Sequence, residues 1–404
     1  MAQRAATRDA VLVPATYSPV GYTCVRSLAR RGLRPIVVSE HERVPAGRSR
    51  FCDEYVRICS PYEDLLGYRD ELLTLAAQPR VRTILPLRPA DPYVLTTYGE
   101  AFERHVSLCV PSAESLRRIN DRVALYETAV DAGVPVPKTW RFEVFDGWDD
   151  AVVVKSRYNH LTAAQIPSYT ESKSSTQSDV IHVPAGRDPD PEAIRSTMKH
   201  SPIVQEYVRN DDQYVFAALC DRGTTVATFQ HRQIRGDSYT GGGGVYRESI
   251  DDPALERVGR RLLDALEWHG VACVEYAKDT ATGEYKLLEL NPRFWKSLPT
   301  AVRAGADFPA YYCHLATGRP PAINPGYKRG VSTHSLYGEL HHLLSLRYDE
   351  SAIVDRPSVP ATAWRIIESC LRSPNFDMAR LDDPVPFVCG LRWAARNAIR
   401  GSLP

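Results

Sequence analysis

The chain has 404 residues, 43% of them hydrophobic and 25% charged, with a formal net charge of +1. That length supports two or three domains with cores of their own, and no apolar run approaches the ~18 residues a membrane-spanning helix needs. So small a net charge gives no long-range field for nucleic acid or a membrane surface, which leaves small molecules met in a local pocket as the expected partners, with homo-oligomerisation open. Nine cysteines without a CxxC pair form neither a disulfide framework nor a zinc cluster. The start, MAQRAATRDAVLVPA, runs from basic residues straight into a strand-like segment without a secretory h-region, so a cytoplasmic location is expected.

Residues 10–40, AVLVPATYSPVGYTCVRSLARRGLRPIVVSE, read as strand, turn, amphipathic helix and strand. Val25, Leu28 and Ala29 share the apolar face of the helix, and Gly32 supplies its left-handed stop. The turn lacks GxGxxG spacing, so no dinucleotide fingerprint is assigned, although loops at strand ends are where open α/β sheets bind ligands. Strand and helix signals at 55–59, 62–77, 81–86, 91–104 and 106–110 then alternate as a small parallel sheet requires. Asp91, before Pro92, either faces a ligand or caps a helix.

A second unit is expected from Pro111. Ser112 caps one helix, Asp121 begins the next, Gly133 closes it, and VPVP follows in extended form. AVVVKS, 151–156, is a buried strand interrupted by Lys155; lysines are seldom buried without a partner, so its ammonium meets a phosphate or reaches solvent at an edge. The stretch YNHLTAAQIPSYTESKSSTQSDV offers hydroxyls to an anion or stays disordered. A strand at 203–208 precedes a hairpin, 214–220 and 224–231, turned by DRG. Arg232 and Arg235, followed by SYTGGGGVYRES, form an anion cradle or flank a flexible loop. Leu255, Val258, Leu262, Leu263 and Leu266 stripe one helix face, which is core packing.

The segment GVACVEYAKDTATGEYKLLELNPRFWKSL, 270–298, reads as a hairpin with strands at 271–277 and 285–290. With its turn centred near Thr282, Glu275 falls opposite Glu289, and Asn291 shares their face because side chains alternate with period two. Like charges facing across a ladder destabilise it; a cation removes that penalty, and two carboxylates with an amide oxygen are hard ligands of the kind Mg²⁺ prefers. The alternative is a pair of exposed strand glutamates.

The words LLELNPRFWKSL, preceded by a glutamate on the partner strand, resemble the C-terminal metal-binding signature of the ATP-grasp superfamily, in its carboxylate-amine ligase branch. NDRVALYETAVDAGVPVP, VVVKS, QEYV and HRQIRG with the glycine run are similar to other phrases of that family, and the resemblance covers residues 10–320. It implies an α/β and α+β chain: an N-terminal, Rossmann-like preATP-grasp domain at 1–110, an ATP-grasp domain at 111–320 with subdomains 111–205 and 206–320, and a mostly helical extension at 321–404. It further implies ATP held by Arg122, Lys155 and Arg232, with Gln205, Glu206 and the backbone of Tyr207 and Val208 around adenine and Asp212 near the ribose. Mg²⁺, or Mn²⁺, would sit on Glu275, Glu289 and Asn291, and Arg293, Lys155 and Arg235 would carry catalysis. The implied reaction is ATP-dependent ligation of a small carboxylate to an amine through an acyl phosphate; a phosphotransferase and a non-catalytic nucleotide-binding module are the alternatives. Two features depart from the family: Lys296 replaces a glycine, and the phosphate-covering loop is poor in glycine. His341 and His342 point to different sides of a helix and receive no metal.

Overall fold

The computed structural model describes residues 8–177, 179–210, 212–318 and 322–399. β1 (Ala10–Pro14), α1 (Pro19–Arg30), β2 (Arg34–Ser39), β3 (Glu54–Arg57), α2 (Leu65–Ala76) and β4 (Val81–Ile84) build a parallel sheet in the order β3-β2-β1-β4. Every residue of β1 is buried because helices cover both faces. Val11, Val13 and Val37 pack with α1, whereas Leu12, Ile36 and Val38 pack with α2. Ser18 accepts the Val20 amide at the start of α1, with Pro19 at the first helical position, and Gly32 ends the turn at φ +78°.

α3 (Ala90–Thr97) and α4 (Gly99–Glu103) break at Tyr98, where the sequence suggested one helix. Asp91 neither faces an open site nor caps the amides ahead of it. It is fully buried and accepts the amides of Leu87 and Arg88 at 2.8 and 2.7 Å, bracing the loop that leaves β4. The segment 106–110, expected as a strand, instead crosses the start of the large sheet. A Cβ on Gly270 would stand 2.2 Å from the Cys109 carbonyl oxygen, so the two backbones meet only through glycine.

α5 (Ala113–Asn120) and α6 (Arg122–Asp131) are capped by Ser112 and Asp121, as their sequence requires. β5 (Thr139–Arg141), β6 (Val152–Lys155), β7 (Val180–Val183), α7 (Pro191–Met198) and β8 (Ile203–Glu206) form a small sheet in the order β5-β8-β6-β7. The large sheet takes β9 (Gln213–Asp221), β10 (Thr224–Ser238), β11 (Gly241–Ile250), β12 (Gly270–Lys278) and β13 (Tyr285–Asn291), with α8 (Pro253–Ala265) between β11 and β12. One face of it packs through Phe216, Val274 and Tyr276 on the leucines of α8. The other joins the first sheet's core through Ala217, Phe229 and Cys273, together with α9 (Leu298–Ala304) and α10 (Phe308–Thr317).

The stretch read as a helical extension also supplies a strand. β14 (Ser332–His334) pairs with β11, giving the order β13-β12-β9-β10-β11-β14, before α11 (Leu336–Tyr348), α12 (Val359–Arg372) and α13 (Val385–Ile399). Among the described residues no helix is long and apolar enough to cross a membrane. The four-glycine run is not a loose loop: it opens β11, with Gly241 and Gly242 at φ +138° and +89°.

Packing of α8 on β9 rests on Gly259, where a Cβ would approach Phe216 to 2.3 Å. Gly259→Ala is therefore expected to lower stability by about 1–3 kcal/mol despite alanine's better helix propensity. Equilibrium urea unfolding measures it, and an unchanged or raised midpoint contradicts the close approach.

Candidate active site

The hairpin β12–β13 is in the register its sequence suggests. Glu275 pairs with Glu289 and Cys273 with Asn291, so the three polar side chains share one face. A bulge follows, where Glu275/Glu289 is succeeded by Tyr276/Leu287, leaving Leu288 as the extra residue. The Leu288 carbonyl accepts the Tyr126 hydroxyl at 2.8 Å, which anchors the bulge to α6. Asn291 Nδ2 donates to Glu275 Oε1 at 3.3 Å, and its own Oδ1 accepts from Arg293 Nη2 at 3.3 Å.

Facing this hairpin are two cations. Arg122, at the first position of α6, donates from Nη2 to Glu289 Oε2 at 3.0 Å and from Nη1 to the Ser156 carbonyl at 2.6 Å. Lys155 ends β6 with its Nζ 5.7 Å from the centre of the Tyr126 ring. The electrostatics separate the two glutamates. Burial, then the neighbouring Glu289, pushes Glu275 up to about 7. Burial acts upward on Glu289 too, but Arg122, Lys155 and Arg293 outweigh it and hold that carboxyl below its ordinary range. Glu289 keeps 28% of its side chain exposed, so it stands on the floor of an open cleft. Two carboxylates, one of them reluctant to ionise beside the other, with the Asn291 amide on the same face, are a donor set that fits a divalent cation.

Across the cleft, Val153, Gln205 and His182 pair in one row of the small sheet, and Lys155 lies on their face. Gln205 is buried and donates to Thr139 Oγ1 at 2.8 Å. Tyr207 sets its ring 5.9 Å from that of His182, and Val180, half exposed, completes an apolar surface suited to a flat base. The hinge departs from the expected adenine contacts in detail. The Tyr207 amide donates to the Ala151 carbonyl, the Val208 carbonyl accepts from Asn210, and Glu206 pairs with Lys286 at 2.7 Å.

Arg232 and Arg235 are not gathered with the glutamates. Arg232 pairs in register with Tyr214, and Tyr214 with Tyr276, so it points to the face of the sheet opposite Glu275. There it lies 3.5 Å from both Asp212 and Glu248, which corrects its expected place on the phosphates and draws Asp212 into an ion pair. A register slip before Arg235 turns that side chain over Tyr246 and onto Glu339 of α11, at 2.7 Å. Glu339 also meets His334 Nδ1 at 2.8 Å. Nothing in the local sequence announced Glu339, because its partner is 104 residues away.

The serine-rich stretch is an ordered bridge to the first sheet. Ser174 Oγ donates to the Pro61 carbonyl at 2.8 Å, Lys173 Nζ to the Tyr62 carbonyl at 2.9 Å, and the Leu65 amide to the Ser172 carbonyl at 2.8 Å. Its described hydroxyls therefore serve docking in part, and the disordered reading does not hold for them. Lys296 reaches across the glycine hairpin to Asp237 at 3.5 Å, passing where a Cβ on Gly243 would stand 3.2 Å from its Cδ. His341 and His342 bond the carbonyls of Asp237 and Gly236 at 2.8 and 2.9 Å, clamping the same hairpin.

Because the folded-state value of Glu275 lies above its ordinary 4.5, at about 7, the cation-free protein loses stability as pH rises between those values. Glu275→Gln removes that loss. The variant is expected to gain about 1–2 kcal/mol at pH 8 in EDTA, after discounting for solvent screening, and less at pH 5.5. Thermal melts across that range measure it; a gain independent of pH contradicts the like-charge pair.

No family model matches the chain. Acetyl-CoA carboxylase 2 of Oryza sativa subsp. japonica is 36% identical over 110 residues, 25% of this chain and 5% of that protein. The acetyl-CoA carboxylase 2 of Arabidopsis thaliana is 32% identical over 136 residues, 31% and 6%. The chain thus spans a small fraction of the length of the curated relatives it matches. Among solved structures, the ADP complex of N5-carboxyaminoimidazole ribonucleotide synthetase is similar over 89% of this chain and 96% of that one, with TM-score 0.61 and 13% identity. Biotin carboxylase of Campylobacter jejuni, with TM-score 0.59 and 13% identity, matches over 80% and 74%. L-amino acid ligase of Bacillus licheniformis, with TM-score 0.55 and 13% identity, matches over 79% and 77%. With the cleft between two antiparallel sheets, the parallel sheet ahead of it and these likenesses together, the chain has the ATP-grasp fold.

Proposed function

We propose that this protein is an ATP-dependent ligase that joins a small carboxylate to an amine through an acyl phosphate. The observation that carries the reading is the constellation on the β12–β13 hairpin and the residues just after it: Glu275, Glu289, Asn291 and Arg293 linked on one surface, with Arg122 and Lys155 facing them. Glu275, Glu289 and Asn291 would hold Mg²⁺, or Mn²⁺, which would supply charge neutralisation to the nucleotide phosphates. Lys155 and Arg122 are the cations placed to bind those phosphates, and Val180, Tyr207 and His182 offer the base its surface. Glu206 and Lys286 hold the hinge; Gln205 fixes β5 to β8; Asp212 and Arg232 stand outside the phosphate site.

In this reaction a carboxylate oxygen attacks the γ-phosphorus and ADP leaves with the electron pair of the bridging P–O bond. Arg293 orients the carboxylate. The amine nitrogen then attacks the acyl carbon, the C–N bond forms, and phosphate departs with the C–O pair while the amine proton passes to it or to water. Positioning and charge do this work, which needs no nucleophilic side chain. Arg235, held by Glu339, positions the glycine hairpin rather than the reacting atoms. Nine unpaired cysteines suit a reducing compartment, so we place the reaction in the cytoplasm.

ADP release, followed by a coupled assay over amino acids and small carboxylic acids, is expected to require Mg²⁺ and both a carboxylate and an amine. Hydroxylamine in place of the amine should yield a hydroxamate, which a phosphotransferase with a stable phosphorylated product does not give. Glu289→Ala should lower turnover by about 100-fold or more. Full turnover in that variant would sink the cation assignment, and ADP release with no amide or hydroxamate would sink the ligase.

A further inference from the structure

We propose that α12 and α13 form a docking surface for the interface of an anionic lipid bilayer, on which the protein lies without crossing it. Exposed apolar residues are unevenly distributed along the chain. Of the fourteen large ones among the described residues, ten fall between Leu340 and Leu391. The helices of this segment form one unit: α12 packs on α11, and Phe387 of α13 stacks on Tyr337 of α11 with ring centres 5.4 Å apart. Single apolar residues scattered over a surface need no partner, but a stripe along a helix does.

α12 carries such a stripe on the side away from its own core. Thr362, Ile366 and Ser369 are buried and seat the helix. Trp364, Ile367 and Leu371, 67%, 52% and 78% exposed, recur at spacings of three and four residues, which gathers them about half a turn from that seat. Together they leave roughly 400 Å² of apolar side chain in water, a size at which a patch is usually functional. A helix with apolar residues on two opposite sides has a second surface to bury. α13 repeats the pattern: Trp393 stacks on Tyr17 at 4.4 Å, while Val388 and Leu391 are exposed on the other side. Leu381, in the segment leading into α13, is fully exposed.

The charges select the occupant. α12 and α13 hold four arginines, Arg365, Arg372, Arg392 and Arg396, all exposed, against one acid, Glu368, which Arg372 meets at 2.6 Å. The net charge of +1 over the whole chain hides this local excess. A second copy would set the same excess against itself, and the α12 stripe is about half of the ~800 Å² per partner that a stable dimer buries. An anionic bilayer answers both features. Its headgroups attract the arginines, and its acyl boundary takes a tryptophan and aliphatic side chains without a matching groove. Among the described residues no helix is long and apolar enough to span, so α12 and α13 lie in the interface.

Flotation of the full chain with vesicles of phosphatidylcholine alone, or with phosphatidylglycerol added, tests this. The protein is expected to bind the anionic vesicles at least tenfold more tightly, with affinity falling as salt rises. Trp364→Gln with Leu371→Gln should weaken that binding at least tenfold, and because both side chains are exposed the thermal midpoint should not move. Arg365→Gln with Arg392→Gln should reduce the preference for anionic vesicles and flatten the salt dependence, whereas Glu368→Gln should raise affinity. No binding to either vesicle, wild-type binding by the Trp364 and Leu371 variant, or a lipid-independent dimer that this variant abolishes overturns the proposal. ADP release in solution is expected to be unchanged in all of these variants, so the outcome is separate from that of the ligase reading.

Discussion

Two carboxylates facing one another across the β12–β13 ladder set the condition that the surrounding structure meets. Neither Glu275 nor Glu289 can be ionised cheaply in that position alone. Arg122 answers the charge of Glu289 directly, while Lys155 and Arg293 add their fields. The small sheet, α6 and the large sheet are thereby joined at one electrostatic point. Among the described residues Glu275 has no cation of its own in hydrogen-bond contact, only the amide of Asn291, and burial followed by the charge of Glu289 holds its carboxyl above the ordinary range.

The same point explains why Arg122 sits where it does. Asp121 caps α6, accepting the Val123 amide at 3.0 Å, and pairs with Arg157 at 2.5 Å, so the first turn of the helix is held against the loop after β6. An arginine at a helix start is otherwise a solvated charge. Here the cap fixes its backbone, the Ser156 carbonyl fixes one nitrogen, and Glu289 fixes another.

The last part of the chain is integrated with the cleft rather than appended to it. β14 extends the large sheet, and Arg247 on β11 forms a fully buried pair with Asp377 at 2.7 Å. Glu339, His341 and His342 grip the hairpin from Arg235 to Asp237. Beyond α11, Asp349 accepts the Ser238 hydroxyl at 2.6 Å, and Ser351 bonds His182 of the small sheet at 3.0 Å. The segment therefore ties the glycine hairpin to the edge of the opposite sheet. Breaking a buried pair such as Arg247–Asp377 leaves an uncompensated charge, so these contacts lock the arrangement.

What the sequence determined by itself is whatever local periodicity and turn chemistry carry. The helix caps at Ser112 and Asp121, the leucine stripe of α8 and the opposition of Glu275 to Glu289 all follow from spacings within one element or one hairpin, where alternation by two or by 3.6 leaves few choices. Only the tertiary structure decided the rest. Regular pairing with Tyr214 sets Arg232 on the face opposite Glu275, whereas a register shift just after it turns Arg235 toward Glu339, and β-bulges of that kind leave little trace in composition. The serine-rich stretch had no periodicity to read, and its bonds run to backbone carbonyls about 110 residues earlier. The burial of Arg88 against Glu40 could not be read from its neighbours in sequence, because desolvation is a property of what packs around a group and not of the residue itself.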